Sequence, residues 1–291
     1  MRQTSPAATA ALALVLALTS GCRDSAPPGA VAGTQPPQLR QVAVGEVELH
    51  YTDQGSGTTI VFGDLAELLR QLNAAPAHVV GTSYGAYTAL LLALHHPDLV
   101  KTLTVAEPPL MSWLSDLPGS PEVLQDFMSR MWTPAAEAFR SGNREAALRL
   151  TVDYFVGPGL YDQIPPEFRE SLEANAREWE ALTTSPESLP TVTREEIGRI
   201  TKPMLIIKGE KTYPIGQLID PELARVIPHA QREVVPDGTH EMCVEHPSVC
   251  AGAIHAFISS GPESASKTKH GTKKHPQIDA DYQGSSFFPS A

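Results

Sequence analysis

Basic residues are scarce in this chain: 22 Lys and Arg stand against 33 Asp and Glu in 291 residues, a formal net charge of −11. A nucleic-acid partner rewards clustered cations, and no basic stripe interleaved with aromatics occurs in the body of the sequence, so that class of function is excluded. Long apolar runs are missing too. The best candidate, Ala7 to Thr19 (AATAALALVLALT), falls well short of the ~20 residues a membrane-spanning helix needs. No metal-ligand cluster, P-loop or dinucleotide fingerprint occurs, so neither a metal nor another cofactor is implied. Cysteine is down to Cys22, Cys243 and Cys250. What remains is a soluble globular chain, 42% hydrophobic, long enough to bury a sizeable core in one domain with additions at both ends.

The additions are compositional. Arg2, the Ala7–Thr19 core and the following TSGC read as an export signal over residues 1–22. TSGC resembles the lipobox of bacterial lipoproteins, although Thr19 stands where Leu is usual, three residues before the cysteine. Two outcomes follow: Cys22 becomes the lipidated first residue of the mature chain and a membrane anchor, or the signal is simply cleaved. Both make the protein exported, either periplasmic or membrane-anchored. Residues 23–40, with SAPPGAVAGTQPPQ, read as a flexible Pro-rich linker. Residues 261–291 are polar and aperiodic, and read as a disordered tail or an out-of-frame extension.

The body, residues 41–260, opens with QVAV and VELHYTDQG as two strands joined at Gly45, then Gly55-Ser56-Gly57 and the strand TTIVF, so a hairpin leading into a sheet is expected. DLAELLRQL carries leucines at helical spacing, and the short apolar strand AHVV runs directly into GTSYG, Gly81 to Gly85, with a helix predicted from Gly85 to His95. A serine on so sharp a strand-to-helix turn has its hydroxyl raised above the sheet. Gly81 and Gly85 keep atoms clear where strand and helix approach. Ser83 is therefore the candidate nucleophile.

The strand, the G-x-S-x-G turn and the helix together resemble the α/β-hydrolase superfamily, over roughly Gln41 to Ser260. The resemblance implies an α/β fold with a mostly parallel central sheet and an inserted helical cap. It places the general base in the loop after the last strand; QREVV is that strand and PDGTH follows, which selects His240. His78, His95, His96, His229, His246 and His255 lack this context. The family acid usually follows the strand that reads PMLIIKGE here, but Thr212 stands where Asp is expected. Some relatives, certain haloalkane dehalogenases among them, carry a Glu one strand earlier, and Glu107 lies 24 residues beyond Ser83 after KTLTVAEPP. Glu107 is therefore assigned as the acid, with Glu210 as runner-up.

The cap is expected at about residues 108–200, where PEVLQDFMSRMW, PAAEAFRSG, REAALRLTVDYFVG and PPEFRESLEANAREWEAL are helical and separated by Pro and Gly. Its Phe127, Met128, Met131, Trp132, Phe155 and Trp179 either face a small apolar acyl or ester substrate or pack the cap on itself. The resemblance also implies a gap. Relatives run from the strand equivalent to TTIVF into a loop that supplies one oxyanion-hole N–H, and then through a further helix and strand. Here Gly63 and Asp64 follow Phe62 at once, so roughly 45 to 55 residues of that pattern are absent. The Tyr84 N–H remains as an oxyanion donor. Cys243 and Cys250 either pair, pinning the segment that carries His240, or stay as free thiols. The expected function is a serine hydrolase of ester or related acyl bonds. The alternative is a catalytically impaired or non-catalytic binding protein on the same fold, and carbon–carbon or cofactor-free oxidative chemistry stays open within the superfamily.

Overall fold

The computed structural model describes residues 39–44, 47–52, 60–62, 66–185, 189 and 191–260. The export signal with Cys22, the Gly45 turn, Gly55-Ser56-Gly57, Gly63, Asp64 and the tail lie outside the described residues. Strands β1 (Leu39–Val44) and β2 (Val47–Thr52) pair antiparallel, with Val42 opposite Leu49. All six residues of each strand are paired. Leu39 and Arg40, expected in the linker, therefore belong to β1 because Thr52 and Tyr51 stand opposite them.

The hairpin does not continue into the main sheet as expected. Among the described residues it forms a two-stranded sheet of its own, beside a five-stranded sheet in the order β3-β4-β5-β6-β7. These five strands are β3 (Ile60–Phe62), β4 (Ala77–Thr82), β5 (Val100–Ala106), β6 (Met204–Gly209) and β7 (Gln231–Val235), and every pairing between them is parallel. Strands buried on both faces read as unbroken apolar runs. Here alternate residues serve two cores. Val79, Leu103, Val105, Met204 and Ile206 share one cluster with α2 (Tyr84–His95) and α9 (Pro214–Val226). Val80, Ala106, Leu205, Ile207 and Val235 face the other way, onto Met242 of α10 (Met242–Glu245) and Ile254 and Phe257 of α11 (Pro247–Ser259).

Short α1 (Ala66–Gln71) precedes β4 and buries Leu68 and Leu69. The cap leaves the sheet after β5 and returns at β6. It comprises α3 (Ser120–Phe127), α4 (Thr133–Arg140), α5 (Arg144–Phe155), α6 (Pro166–Ala174), α7 (Ala176–Thr184) and α8 (Arg194–Gly198). Pro134 does not separate two helices as expected. A π-helical turn, Met128–Trp132, carries the chain from α3 straight into α4, and such a turn absorbs the backbone bond that a proline cannot donate. Conversely, the run 165–182 breaks at Asn175, a residue whose side chain competes for the backbone inside a helix.

The two ends of the cap are stapled together. Trp113 Nε1–H donates to the Val192 carbonyl at 2.8 Å, and Arg194 lies over the Trp113 ring while bonding Asp116 at 2.7 Å and Glu222 at 2.5 Å. Glu222 is held well down, to about 2, chiefly by its hydrogen bonds from Arg225 and then Arg194. One cap carboxylate is less well served. Burial pushes Glu178 up to about 7, and its Oε2 has no hydrogen-bond partner. The folded state therefore takes up a proton between the ordinary 4.5 and 7, and the cost of burying the charge is complete only above 7. Glu178→Gln should leave the melting temperature nearly unchanged at pH 5 and raise it at pH 8, by about 1 kcal/mol of stability. Parallel thermal melts at the two pH values check this, and an equal effect at both would contradict it.

Candidate active site

Ser83 alone forms the turn between β4 and α2. Its φ of 50° and ψ of −122° lie where a side chain costs about 1–3 kcal/mol of strain. The neighbours hold it there: its N–H donates to Ala106 O at 2.8 Å and its carbonyl accepts from Tyr87 N–H at 3.1 Å. Gly81 is required by the same turn, because a Cβ on it would overlap the Gly85 carbonyl and stand 2.6 Å from Ala86 N. Tyr84 N–H heads α2, among the first amides that have no partner within the helix, and the positive end of the helix dipole lies there.

Glu107 follows β5 directly, with φ 51° and only 4% exposure. A buried carboxylate must be matched by donors, and three reach it. Oε1 accepts the Gly209 N–H at 2.9 Å; Oε2 accepts the Thr212 hydroxyl at 2.5 Å and His240 Nδ1–H at 2.6 Å. Thr212, at the position where an Asp was expected, thus serves the carboxylate instead of supplying one. Gly209 is at the end of β6, and a Cβ there would collide with the Thr239 carbonyl.

His240 sits in the loop after β7, and its Nε2 is 3.0 Å from Ser83 Oγ. With Nδ1 protonated toward Glu107, Nε2 is free to accept the serine proton. The loop is braced on both sides of His240. Thr239 gives Glu245 two hydrogen bonds, from N–H at 2.8 Å and from Oγ1 at 2.7 Å, and Cys243 is disulfide-bonded to Cys250 between α10 and α11. Glu210, the runner-up acid, accepts the Asp237 N–H at 2.9 Å and so holds the start of this loop rather than the imidazole.

Among the described residues, the cap contributes one ring to the site. Phe155, the last residue of α5, stacks on His240 with centroids 4.9 Å apart, and Tyr213 meets the same imidazole edge-on at 4.8 Å. The other cap residues expected over the nucleophile divide. Phe127 and Met131 are buried in the core, Met128 is exposed, Trp132 packs against Phe127, and Trp179 reaches Phe155 at 6.1 Å. Sequence reasoning missed three contributors: the Gly209 N–H, the Thr212 hydroxyl and the Tyr213 ring. The one signal for them was the threonine standing in place of the family Asp. Among the described residues no cluster of three or more metal-ligating side chains occurs, and no helix is long and apolar enough to cross a membrane.

Burial disfavours the imidazolium of His240, but the hydrogen bond and charge of Glu107, with Glu241 and Glu245 further off, outweigh it and hold its pKa above the ordinary 6.5. A raised histidine pKa contributes stability that is fully present below 6.5 and lost as pH rises through the folded value. In an NMR titration of the His240 ring, the midpoint should therefore lie above 6.5 in the wild type. Glu107→Gln should drop it, since burial then acts unopposed by that charge, and Glu210→Gln should leave it in place. The reverse pattern would show that Glu210 is the partner.

Known proteins share this arrangement of elements. The family described as "alpha/beta hydrolase fold" matches residues 58–247. The mouse (Mus musculus) sn-1-specific diacylglycerol lipase ABHD11 is 29% identical over 213 residues, 67% of this chain, and the chain spans 63% of that relative's length. Carboxylesterase CesB (YbfK) from Bacillus subtilis superposes with a TM-score of 0.58 at 16% identity, covering 78% of this chain and 93% of the other, a likeness of fold alone. With its parallel sheet, its serine turn and a family match over most of the folded body, this chain belongs to the α/β-hydrolase fold family.

Proposed function

We propose that the chain is a serine hydrolase of carboxylic esters or related acyl bonds, with Ser83 as nucleophile, His240 as general base and Glu107 as the acid that orients it. The observation that carries this reading is the continuous chain of hydrogen bonds from Ser83 Oγ through His240 to Glu107, anchored on a serine held at positive φ. As Oγ attacks the carbonyl carbon, Nε2 takes the hydroxyl proton, and Glu107 holds the imidazole tautomer and offsets its new charge. The tetrahedral oxyanion forms beside the Tyr84 N–H. Collapse breaks the bond to the leaving oxygen, which receives the proton from Nε2. Water, deprotonated by His240, then attacks the acyl-serine, releases the acid and restores Ser83. The curated relative named as a diacylglycerol lipase favours an ester substrate, and the apolar ring of Phe155 at the His240 face suits an apolar one.

A second reading is favoured by a specific feature. Between β3 and α1 only residues 63–65 intervene, which leaves no room for the family's oxyanion loop and the strand that follows it. A missing donor costs about 10²–10³ in kcat, so we read the enzyme as slow, and a binding protein is the limit of that slowness. The domain order goes with the proposal: an export signal over 1–22 with Cys22 as a lipid anchor, a linker, and a hydrolase body with its cap at about 108–200.

Labelling of the full chain with a fluorophosphonate, read by intact mass, tests the reading without a known substrate. One adduct is expected on the wild type and none on Ser83→Ala, whose hydrolysis of 4-nitrophenyl esters should fall at least about a thousandfold. An adduct that survives Ser83→Ala would sink the assignment of the nucleophile. A folded wild type that takes no label would favour the binding protein.

A further inference from the structure

The His240 imidazole is held at its edges by hydrogen bonds and at its face by the cap. Nδ1 is tied to Glu107 and Nε2 to Ser83, both contacts made by residues at the sheet. The broad face of the ring is covered by Phe155, whose plane is inclined only 29° to it, and Tyr213 closes a second side at 75°. Phe155 is itself wedged, edge-on against Tyr213 at 4.9 Å and against Tyr154 at 5.6 Å, with the Trp179 ring beyond. Tyr154 continues the contact to Phe127, which is buried in the core of the cap. A run of touching rings therefore leads from the packed interior of the cap to the imidazole.

We propose that Phe155 is a positioning residue for His240, so that the cap sets the plane of the imidazole and the base is aligned on Ser83 only while the cap is seated. The inference rests on the Ser83–His240–Glu107 reading and adds the element that ties the cap to it. Two physical effects follow. The stacked ring limits the tilt of the imidazole, which keeps Nε2 directed at the hydroxyl. Its negative π face also favours the charged imidazolium that forms when Nε2 takes the proton. The charged and titratable groups that bear on the ring come from elsewhere: Glu107 after β5, and Glu241 and Glu245 on its own loop and helix. Tyr213 stays neutral, since burial pushes its phenol far up. The cap presents an uncharged ring.

The test compares wild type, Phe155→Leu, which keeps an apolar cover without a π face, and Phe155→Tyr, which restores the ring; thermal melts confirm that each is folded. With a small soluble ester such as 4-nitrophenyl acetate, Phe155→Leu should lower kcat about two- to tenfold, the range an aromatic pair carries, with KM unchanged. The acid limb of its kcat/KM profile should move to lower pH by about half a unit, because the neutral base persists further once the π face is lost. In NMR spectra the His240 ring protons should lose their upfield ring-current shift in Phe155→Leu, and Phe155→Tyr should restore all three readouts. If Phe155→Leu slows turnover while its acid limb and His240 resonances stay where they were, Phe155 is only a pocket wall and the proposal is overturned. If the wild type neither turns over esters nor labels at Ser83, the hydrolase reading fails by itself. The resonances and titration midpoint of His240 then decide the positioning role, which stands if both shift in Phe155→Leu and falls if neither does.

Discussion

The structure depends on a negative charge being placed inside it. Glu107 is almost wholly buried, and a carboxylate in such a place is tolerable only if its lone pairs are filled. Two donors, Gly209 and Thr212, come from the end of β6 and the turn into α9, and the third from the loop after β7, so one side chain ties two distant segments to the end of β5. Gly209 and Gly81 are glycines for a related reason: at both places backbones approach so closely that a methyl group would have no room. The positive φ angles of Ser83 and Glu107 belong to the same compact knot at the carboxyl ends of adjacent strands, where doubly wound sheets place their sites.

Around that knot, the loop bearing His240 is secured independently of the carboxylate. Glu210 receives the Asp237 amide, Glu245 receives both the amide and hydroxyl of Thr239, and the disulfide joins α10 to α11 just beyond. Each removes freedom from a segment whose His240 Nε2 lies at hydrogen-bond range of the Ser83 hydroxyl. The cap is organised differently. It is closed at its neck by Trp113, Val192 and Arg194, and it meets the site through the aromatic contact of Phe155. An aromatic contact can part and re-form without leaving buried polar groups unpaired. That suits a roof that admits a substrate under the proposed hydrolase reading, while the polar knot beneath it stays intact.

Much of this was written locally in the sequence. GTSYG between a short apolar strand and a helix marked Ser83 as the candidate, because the turn demands small neighbours on both sides of one side chain. His240 in PDGTH after the last strand and Glu107 at the end of KTLTVAEPP were selected only through the family resemblance, and the hydrogen bond from His240 Nδ1–H goes to Glu107 rather than Glu210. These residues lie at element ends, and element ends carry strong local signals. The cap was legible as helical from its periodicity, although the run through Pro134 and the break at Asn175 were reversed. Both depend on whether a backbone bond finds another partner, which periodicity does not report.

Tertiary structure alone decided the rest. Which face of the sheet Val79 and Val80 serve cannot be read from a strand whose two faces are both covered. Two of the donors to Glu107 are a backbone amide and a threonine hydroxyl about a hundred residues away, and apart from a threonine in place of the family Asp nothing local marks that duty. Phe155 was one of six cap residues with equal claim to the site, and only the packing of α5 selected it. The sequence by itself determined which side chains could do chemistry and on which turns they stand, because those turns are short and sterically exacting. The tertiary structure decided which groups hold them in register, because that depends on distances between segments far apart in the chain.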